Sequence, residues 1–353
     1  MGRPARRRRT RTYAESGVDR SAIGEALAAL LAAARARAPP SHGRPVPLPG
    51  HYAGLLRIGR ETIAVTTDTV GTKVLLAELL DRWEEVGEDL VAINVNDLAA
   101  VGARAAGIVD TLVCARPDPL RFRAIGRGIA RGLTAARCSL LGGETAVVPD
   151  LVRGLDLGAT AIGFLPGGRR PVTGHRIRPG DVVLGIPSSG AHANGFTLIR
   201  RILAESRVDP RRPRPGGRGP VGAELLRATR TYTEAIDAVA DLPSVHGFAH
   251  ISGGGVRNLV RLHRRVRFEL DGWPPVPPLF DWLQAVGGVS DAEMFQTFNM
   301  GVGFAVIVAA RSVDSVRAEL ARGGAPDTVA IGRIVPGRGV TLPDRRLVYD
   351  GYA

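Results

Sequence analysis

Thr66-Thr67-Asp68-Thr69-Val70-Gly71-Thr72-Lys73 lies between a β-branched apolar run, Thr62-Ile63-Ala64-Val65, and a helix-forming run from Leu75 to Trp83. A strand that passes over glycine into a helix, with an acid and an ammonium at the turn, suits a metal-bound polyphosphate. Asp68 offers hard oxygen for Mg²⁺. Gly71 lets backbone N–H groups approach, Thr72 adds a hydroxyl, and Lys73 is expected to meet phosphate oxygens. The spacing is not that of a Walker loop. Lys73 is the only lysine in the chain; all the other residues in the Lys+Arg count of 47 are arginine. An ammonium is compact where a guanidinium is planar, so the lone lysine marks a place where arginine does not serve.

Downstream, Leu90, Val91, Ile93, Val95, Leu98 and Val101 recur with helical spacing and predict a helix over 88–101. Asn94, Asn96 and Asp97 sit inside it, and polar groups there are costly unless bonded. Asp97 is the expected second Mg²⁺ ligand, facing Asp68. Strands are expected over 105–114, 138–141 and 156–165, and a helix over 119–136. The third acid, Glu144, follows Gly142-Gly143 at the end of strand 138–141, where ligands gather in α/β folds. Asp68, Asp97 and Glu144 are thus read as an oxygen-only site for one or two Mg²⁺ ions on phosphate.

Gly167-Gly168-Arg169-Arg170 and Arg178-Pro179-Gly180-Asp181 mark a boundary. The expected division is a basic tail without order over 1–12, a nucleotide-binding and dimerising domain over 13–168, and a substrate domain over 169–353. Strand Val182-Val183-Leu184-Gly185-Ile186 leads into Ser188-Ser189-Gly190-Ala191-His192-Ala193-Asn194-Gly195. A polar loop of this kind ahead of a helix can bind an anion and offer a titratable imidazole, His192. A helix is expected over 225–239. Ser252-Gly253-Gly254-Gly255 reads as a phosphate cradle, Gly50-His51-Tyr52-Ala53-Gly54 as a loop that closes over a ligand, and Asn299 as an exposed substrate contact.

The 353 residues suit two domains, and low aromatic content (5%) with abundant small aliphatics fits an α/β protein. No apolar run reaches spanning length, and no secretory leader is evident. Cys114 and Cys138 form neither a disulfide framework nor a zinc pattern, so a reducing cytoplasm is expected. The net charge of +13 raises nucleic acid as a partner. The arginines are spread along helix faces, as at Arg121, Arg123, Arg127 and Arg131, with no stacking aromatics among them. Anionic metabolites are the expected beneficiaries of that field, and nucleic acid is set aside.

Taken in order, these runs resemble the aminoimidazole ribonucleotide synthetase (phosphoribosylformylglycinamidine cyclo-ligase) family. The carrying pieces are Tyr13-Ala14-Glu15-Ser16-Gly17-Val18-Asp19, Thr67 to Lys73, Val95-Asn96-Asp97-Leu98, Gly142-Gly143-Glu144-Thr145-Ala146, Ser188 to Gly195, Ser252 to Gly255 and Thr297-Phe298-Asn299-Met300-Gly301-Val302-Gly303. The Gly50 to Gly54 run is similar to the archaeal-type branch. Thr69 stands where the family commonly has glycine, and Val147 where bacterial members often have a carboxylate. The resemblance implies two α/β domains, with the N-terminal sheets of two chains pairing into a β-barrel flanked by helices, hence a homodimer. It implies ATP-dependent closure of the imidazole ring of formylglycinamidine ribonucleotide through an iminophosphate, with Mg²⁺. Asp68, Gly71, Thr72, Lys73, Asp97, Gly143 and Glu144 would serve Mg²⁺–ATP, and Lys73 would also act in catalysis. His192 would move a proton or stabilise charge, and Asn194 would orient substrate. Ser189, Gly190, Gly253, Gly254, Gly255 and Asn299 would hold the substrate. The alternatives are another ATP-dependent phosphotransferase of the same fold, such as a thiamine-phosphate kinase or selenophosphate synthetase, or a non-catalytic nucleotide- or nucleic-acid-binding homologue.

Overall fold

The structure, a computed structural model, describes residues 12–18, 20–35, 42–48 and 50–352. The Arg6 to Arg9 cluster and residues 1–11 of the tail expected over 1–12 lie outside the described residues; Thr12 is described, and its N–H donates to the Glu15 carboxylate (3.2 Å). The first half runs α1 (Arg20–Arg35), β1 (Arg44–Val46), β2 (Gly54–Ile58), β3 (Glu61–Thr69), α2 (Lys73–Leu80), α3 (Glu84–Ala99), β4 (Arg104–Cys114), α4 (Pro119–Ala136), β5 (Ser139–Val147) and β6 (Leu155–Phe164). Its sheet has the order β1-β2-β3-β6-β4-β5, antiparallel except for the β4–β5 pair.

Alternation on β3 explains how this sheet is covered. Thr62, Ala64 and Thr66 are buried, whereas Glu61, Val65 and Thr67 are exposed. Helix α3 lies against β3, β4 and β6, and α4 lies against α3. The helix α4 starts as its sequence dictates: Asp118 accepts hydrogen bonds from the N–H groups of Leu120 (2.9 Å) and Arg121 (3.3 Å), with proline at the first helical position. The two helices cross at glycines. A Cβ at Gly128 would fall 1.9 Å from the Glu84 carbonyl oxygen, and one at Gly87 2.2 Å from that of Ile125.

The second half runs β7 (Val182–Pro187), α5 (Phe196–Glu205), α6 (Val221–Leu226), α7 (Thr233–Val239), β8 (Val245–His250), β9 (Val266–Glu269), α8 (Pro278–Gly287), α9 (Asp291–Thr297), β10 (Val302–Val308), α10 (Val313–Arg322), β11 (Val329–Pro336), β12 (Gly339–Leu342) and β13 (Leu347–Tyr349). Its sheet order is β13-β12-β9-β11-β7-β10-β8. Every residue of β10 is buried, as an apolar run without alternation requires. The chain is therefore a mixed α/β molecule with two sheets. Within the described residues of one chain neither sheet closes into a barrel.

Two elements differ from the sequence expectation. Strand β5 runs straight through Gly142-Gly143-Glu144 instead of ending there, paired in parallel with β4. The helix expected over 225–239 is two helices, α6 and α7, with an extended segment between them. The reason lies in the other half of the chain. Asn96 on α3 donates to the Arg230 carbonyl (2.9 Å) and accepts from the Tyr232 N–H (2.9 Å), and Asp89 accepts from the Thr229 N–H (2.8 Å). Those backbone groups are bonded across the molecule, so they are not available to a helix.

Candidate active site

The two halves meet where α3 faces β8 and α7, and where α2 faces α5 and α6. Asp68 is the penultimate residue of β3, beside this junction. Its Oδ1 accepts from the Thr69 N–H at 2.8 Å. The carboxylate reaches solvent but is enclosed by protein on its other sides. That desolvation, and then the like charge of Asp97, raise its pKa to about 6. Asp97 is half-buried on α3, and its Oδ1 lies 2.8 Å from Nδ1 of His250 at the end of β8. The structure therefore brings Asp68 and Asp97 together, as expected, and adds His250.

Glu144 does not join them. Asp68, Ala159 and Asp110 are register partners across β3, β6 and β4, so they share the helix-covered face. Gly143 pairs with Asp110 on that face; a Cβ there would lie 2.3 Å from the Asp110 Oδ1. Glu144 is the next residue, pairs with Thr111 and faces the other side of the sheet. Among the described residues no three His, Cys, Asp or Glu side chains are arranged to hold a metal ion. The three-carboxylate site is thus reduced to a two-carboxylate one. Two acids close enough for the charge of Asp97 to raise the proton affinity of Asp68 suit a cation whose remaining ligands are phosphate and water.

Lys73 departs furthest from its expected place. It is fully buried. Its Nζ lies 2.6 Å from the Asp89 Oδ2 and donates to the carbonyls of His192 (2.9 Å) and Arg227 (3.0 Å). The ammonium gives two hydrogen bonds to carbonyls and is ion-paired to Asp89 in a fully buried cell, so it does not reach out to phosphate. Burial pushes its pKa down and Asp89 opposes that shift. At the turn before it, Gly71 takes φ +65°, and Thr72 Oγ1 lies 2.9 Å from Thr197 Oγ1 on α5.

The Ser188 to Gly195 loop is held from several sides. Ser189 Oγ donates to the Ala228 carbonyl (2.6 Å), and the Ser189 carbonyl accepts from Arg227 Nη1 (3.1 Å). The Gly190 carbonyl accepts from Asn299 Nδ2 (2.8 Å). Asn299 Oδ1 accepts from the Gly301 N–H and from Ser188 Oγ, each at 2.9 Å. Asn299 is buried and acts as a clamp on this loop, not as the exposed substrate contact expected.

His192 is also buried, with φ +58°. Its Nε2 accepts from the Ser189 N–H (3.4 Å), and its Nδ1 has no partner. Desolvation, then His250 and Lys73, hold its pKa well below the usual imidazole value. A Cβ on Gly303 would strike Tyr232 Oη at 2.0 Å and His192 Cε1 at 2.6 Å. The imidazole therefore rests against the backbone of β10, closed off from the cleft. The expected proton-transfer role of His192 finds no open path here.

In the Ser252 to Gly255 turn the Gly255 N–H is already bonded to the Ser252 carbonyl (2.9 Å). Gly255 is excluded from the cradle on that ground. Gly253 lies against Asn194, whose Oδ1 is 3.1 Å from the position of a Cβ there, and the Tyr352 ring covers Gly254. Arg261 stacks between Tyr52 and Tyr352, with ring centroids 4.2 and 4.9 Å from its guanidinium carbon. His250, Asp89 and Tyr232 were missed by sequence reasoning. Asp89 carried a usable signal, one more polar residue in the apolar helix that holds Asn94, Asn96 and Asp97.

Residues 50–165 match the family described as AIR synthase related protein, N-terminal domain, and residues 178–345 match its C-terminal domain. The phosphoribosylformylglycinamidine cyclo-ligase of Methanothermobacter thermautotrophicus is 44% identical over 305 residues, covering 86% of this chain and 89% of that protein. The enzyme of the same name from Methanosarcina barkeri is 41% identical over 329 residues, covering 92% and 95%. Among solved structures, AaThiL complexed with AMPPCP and TMP superposes with a TM-score of 0.64 at 17% identity over 95% of this chain and 98% of the other. The HypE-HypF complex gives 0.63 at 18% over 83% and 89%. At such identities these two likenesses speak for the fold alone.

Proposed function

The chain belongs to the AIR synthase related family, and from that premise we propose that it closes the imidazole ring of formylglycinamidine ribonucleotide at the expense of ATP, yielding 5-aminoimidazole ribonucleotide, ADP and phosphate in purine biosynthesis. The observation that carries the reading is the identity of about two residues in five with cyclo-ligases along nearly the whole chain. The Asp68–Asp97 pair at the junction of the halves is the local feature that supports it.

In this reading the formamide oxygen of the substrate takes the γ-phosphoryl group of ATP, the amidine nitrogen attacks the activated carbon, and phosphate leaves. Phosphoryl transfer asks for charge neutralisation and alignment more than for covalent help. Asp68 and Asp97 would hold Mg²⁺, which neutralises phosphate charge when bound. His250 orients the Asp97 carboxylate by its hydrogen bond. Gly71 and Thr72 would approach the phosphates through backbone and hydroxyl at the start of α2. Asn194, with Gly253 and Gly254 beside it, would align the substrate. The like-charge repulsion at Asp68 supports this division of labour, because a cation relieves it.

A homodimer belongs to the same proposal. Val65 and Phe164 lie on the side of the first sheet away from its helices, and both are exposed. Strand β5 leaves an open edge. Two such faces brought together would cover each other.

The test is ADP release with Mg²⁺–ATP, with and without formylglycinamidine ribonucleotide, while imidazole product is followed. Equal ADP and imidazole formation supports the cyclo-ligase. Nucleotide binding with no imidazole formed overturns the substrate assignment.

A further inference from the structure

We infer that Lys73 and Asp89 form a buried bolt between the two halves that positions the Ser188 to Gly195 loop for the reaction, and that Lys73 acts through this loop and not on phosphate. The inference rests on the reading given under Proposed function. It deepens that reading by moving one residue from the nucleotide to the loop that faces substrate.

The geometry carries it. Both side chains are wholly buried, and both come from the first half of the chain. Among the described residues, every other hydrogen-bond partner of these two side chains comes from the second half. Lys73 Nζ donates to the carbonyls of His192 and Arg227. Asp89 Oδ1 accepts from the Thr229 N–H (2.8 Å) and the Thr229 hydroxyl (2.5 Å). The pair therefore fixes two second-half segments at once: the loop at His192 and the extended run from Arg227 to Thr229. These segments also hold each other, through Ser189 Oγ to the Ala228 carbonyl and Arg227 Nη1 to the Ser189 carbonyl.

Two further observations fit. His192 adopts φ +58°, a conformation uncommon for a residue with a Cβ and held here by what its surroundings impose. The Lys73 bond to its carbonyl is one such imposition. The ammonium also lies 5.4 Å from the centroid of the Phe196 ring, at the start of the helix that follows the loop. Two carbonyls and a carboxylate oxygen around one nitrogen suit a compact ammonium. A planar guanidinium is larger and presents its donors in a fixed fork. The chain's single lysine thus has a physical reason to be lysine, and the reason is packing geometry in a closed cell.

The experiment compares full-length wild type with Lys73→Met, Lys73→Met/Asp89→Asn and the milder Thr229→Val. Three quantities are read: the dissociation constant of AMPPCP with Mg²⁺, kcat and KM for imidazole formation, and amide hydrogen exchange of residues 188–195. Lone Lys73→Met leaves a buried acid unpaired and is prone to misfold; the neutral double variant and Thr229→Val avoid that. The bolt predicts AMPPCP affinity within about threefold of wild type in the double variant. It also predicts a kcat at least about 30-fold lower and faster exchange over 188–195, with Thr229→Val intermediate. A tenfold or greater loss of AMPPCP affinity with loop exchange unchanged would restore Lys73 to the phosphates and overturn the inference. So would a folded double variant with wild-type kcat. If wild type forms no imidazole, the proposed function falls by itself, and the exchange data still decide the bolt.

Discussion

His250 Nδ1 on β8 lies 2.8 Å from Asp97 Oδ1 on α3, so one hydrogen bond joins the second sheet to the carboxylate that faces Asp68. The imidazole is buried and stacks on Phe304 at an interplanar angle of 21°, which fixes its plane. Its bond in turn fixes the rotamer of Asp97. An acid that serves a cation gains from such orientation, because the free carboxylate would otherwise sample several rotamers.

This relationship separates two variants. Asp97→Asn removes the charge itself and should lower kcat/KM for ATP by about 100-fold or more, in line with loss of a charged ligand. His250→Asn removes only the orientation, and a bond to a charged group is worth about 1.5–3 kcal/mol, so a loss of about tenfold to 100-fold is expected. Steady-state kinetics at varied Mg²⁺ gives the comparison. A His250→Asn enzyme as fast as wild type would leave the bond without a role in turnover.

Asp68 makes a prediction of opposite sign for stability and activity. Its folded pKa is about 6, above the ordinary carboxylate value, so the ionised form is disfavoured in the native state. Native Asp68 therefore costs stability at high pH, and that cost disappears as pH falls through 6 toward 4. Asp68→Asn should raise Tm at pH 8 without Mg²⁺ or nucleotide, have no effect near pH 4, and abolish most turnover. Thermal scans at the two pH values, beside the activity assay, test this. A variant destabilised at pH 8 would mean that the carboxylate is held by favourable contacts instead.

His192 sets a different pH window. Its folded pKa is far below 6.5, chiefly through burial. Below pH 6.5 the unfolded chain takes up a proton that the native state does not, so stability is present above that pH and is lost as pH falls. The slope contributed by one such group reaches about 1.4 kcal/mol per pH unit. His192→Asn suits the test, since asparagine tolerates positive φ and does not titrate. The variant should show a shallower loss of stability between pH 6.5 and 5 than wild type in urea titrations. Identical slopes would assign the acid sensitivity to other buried groups, His51 among them.

The residues themselves show how far sequence reasoning reaches. Helix α4 was legible to the residue because proline, an Asp cap and an amphipathic run all agree. The Asp68–Asp97 pairing was legible because both acids end or interrupt strongly patterned elements. Lys73 and Asn299 were read by type as ligand contacts, whereas their partners come from 119 and 109 residues away. No local pattern records such partners. Glu144 was misassigned for a simpler reason: a step of one residue along a strand reverses its face, and the glycines before it hid the fact that the strand continues. The break between α6 and α7 was invisible because its cause, Asp89 and Asn96, lies on another helix.

Gly303 gives the most direct test of the packing beneath the loop. It sits on β10 where a Cβ would meet Tyr232 Oη at 2.0 Å and His192 Cε1 at 2.6 Å. Neither neighbour has room to retreat. Tyr232 donates to the Pro187 carbonyl (3.1 Å) and packs on Phe304, and the His192 backbone is held by Lys73. Gly303→Ala should therefore destabilise by about 1–3 kcal/mol, the usual range for overpacking in a close-packed interior. Tyr232→Phe removes the atom that clashes hardest but leaves Tyr232 Cζ at 2.9 Å, so the double variant should recover part of the loss and not all of it. Denaturant melts of the two single variants and the double one give the coupling. Strict additivity would show that the two side chains do not meet. Positive coupling, with turnover recovering alongside stability, would tie the packing under His192 to the working position of the loop above it.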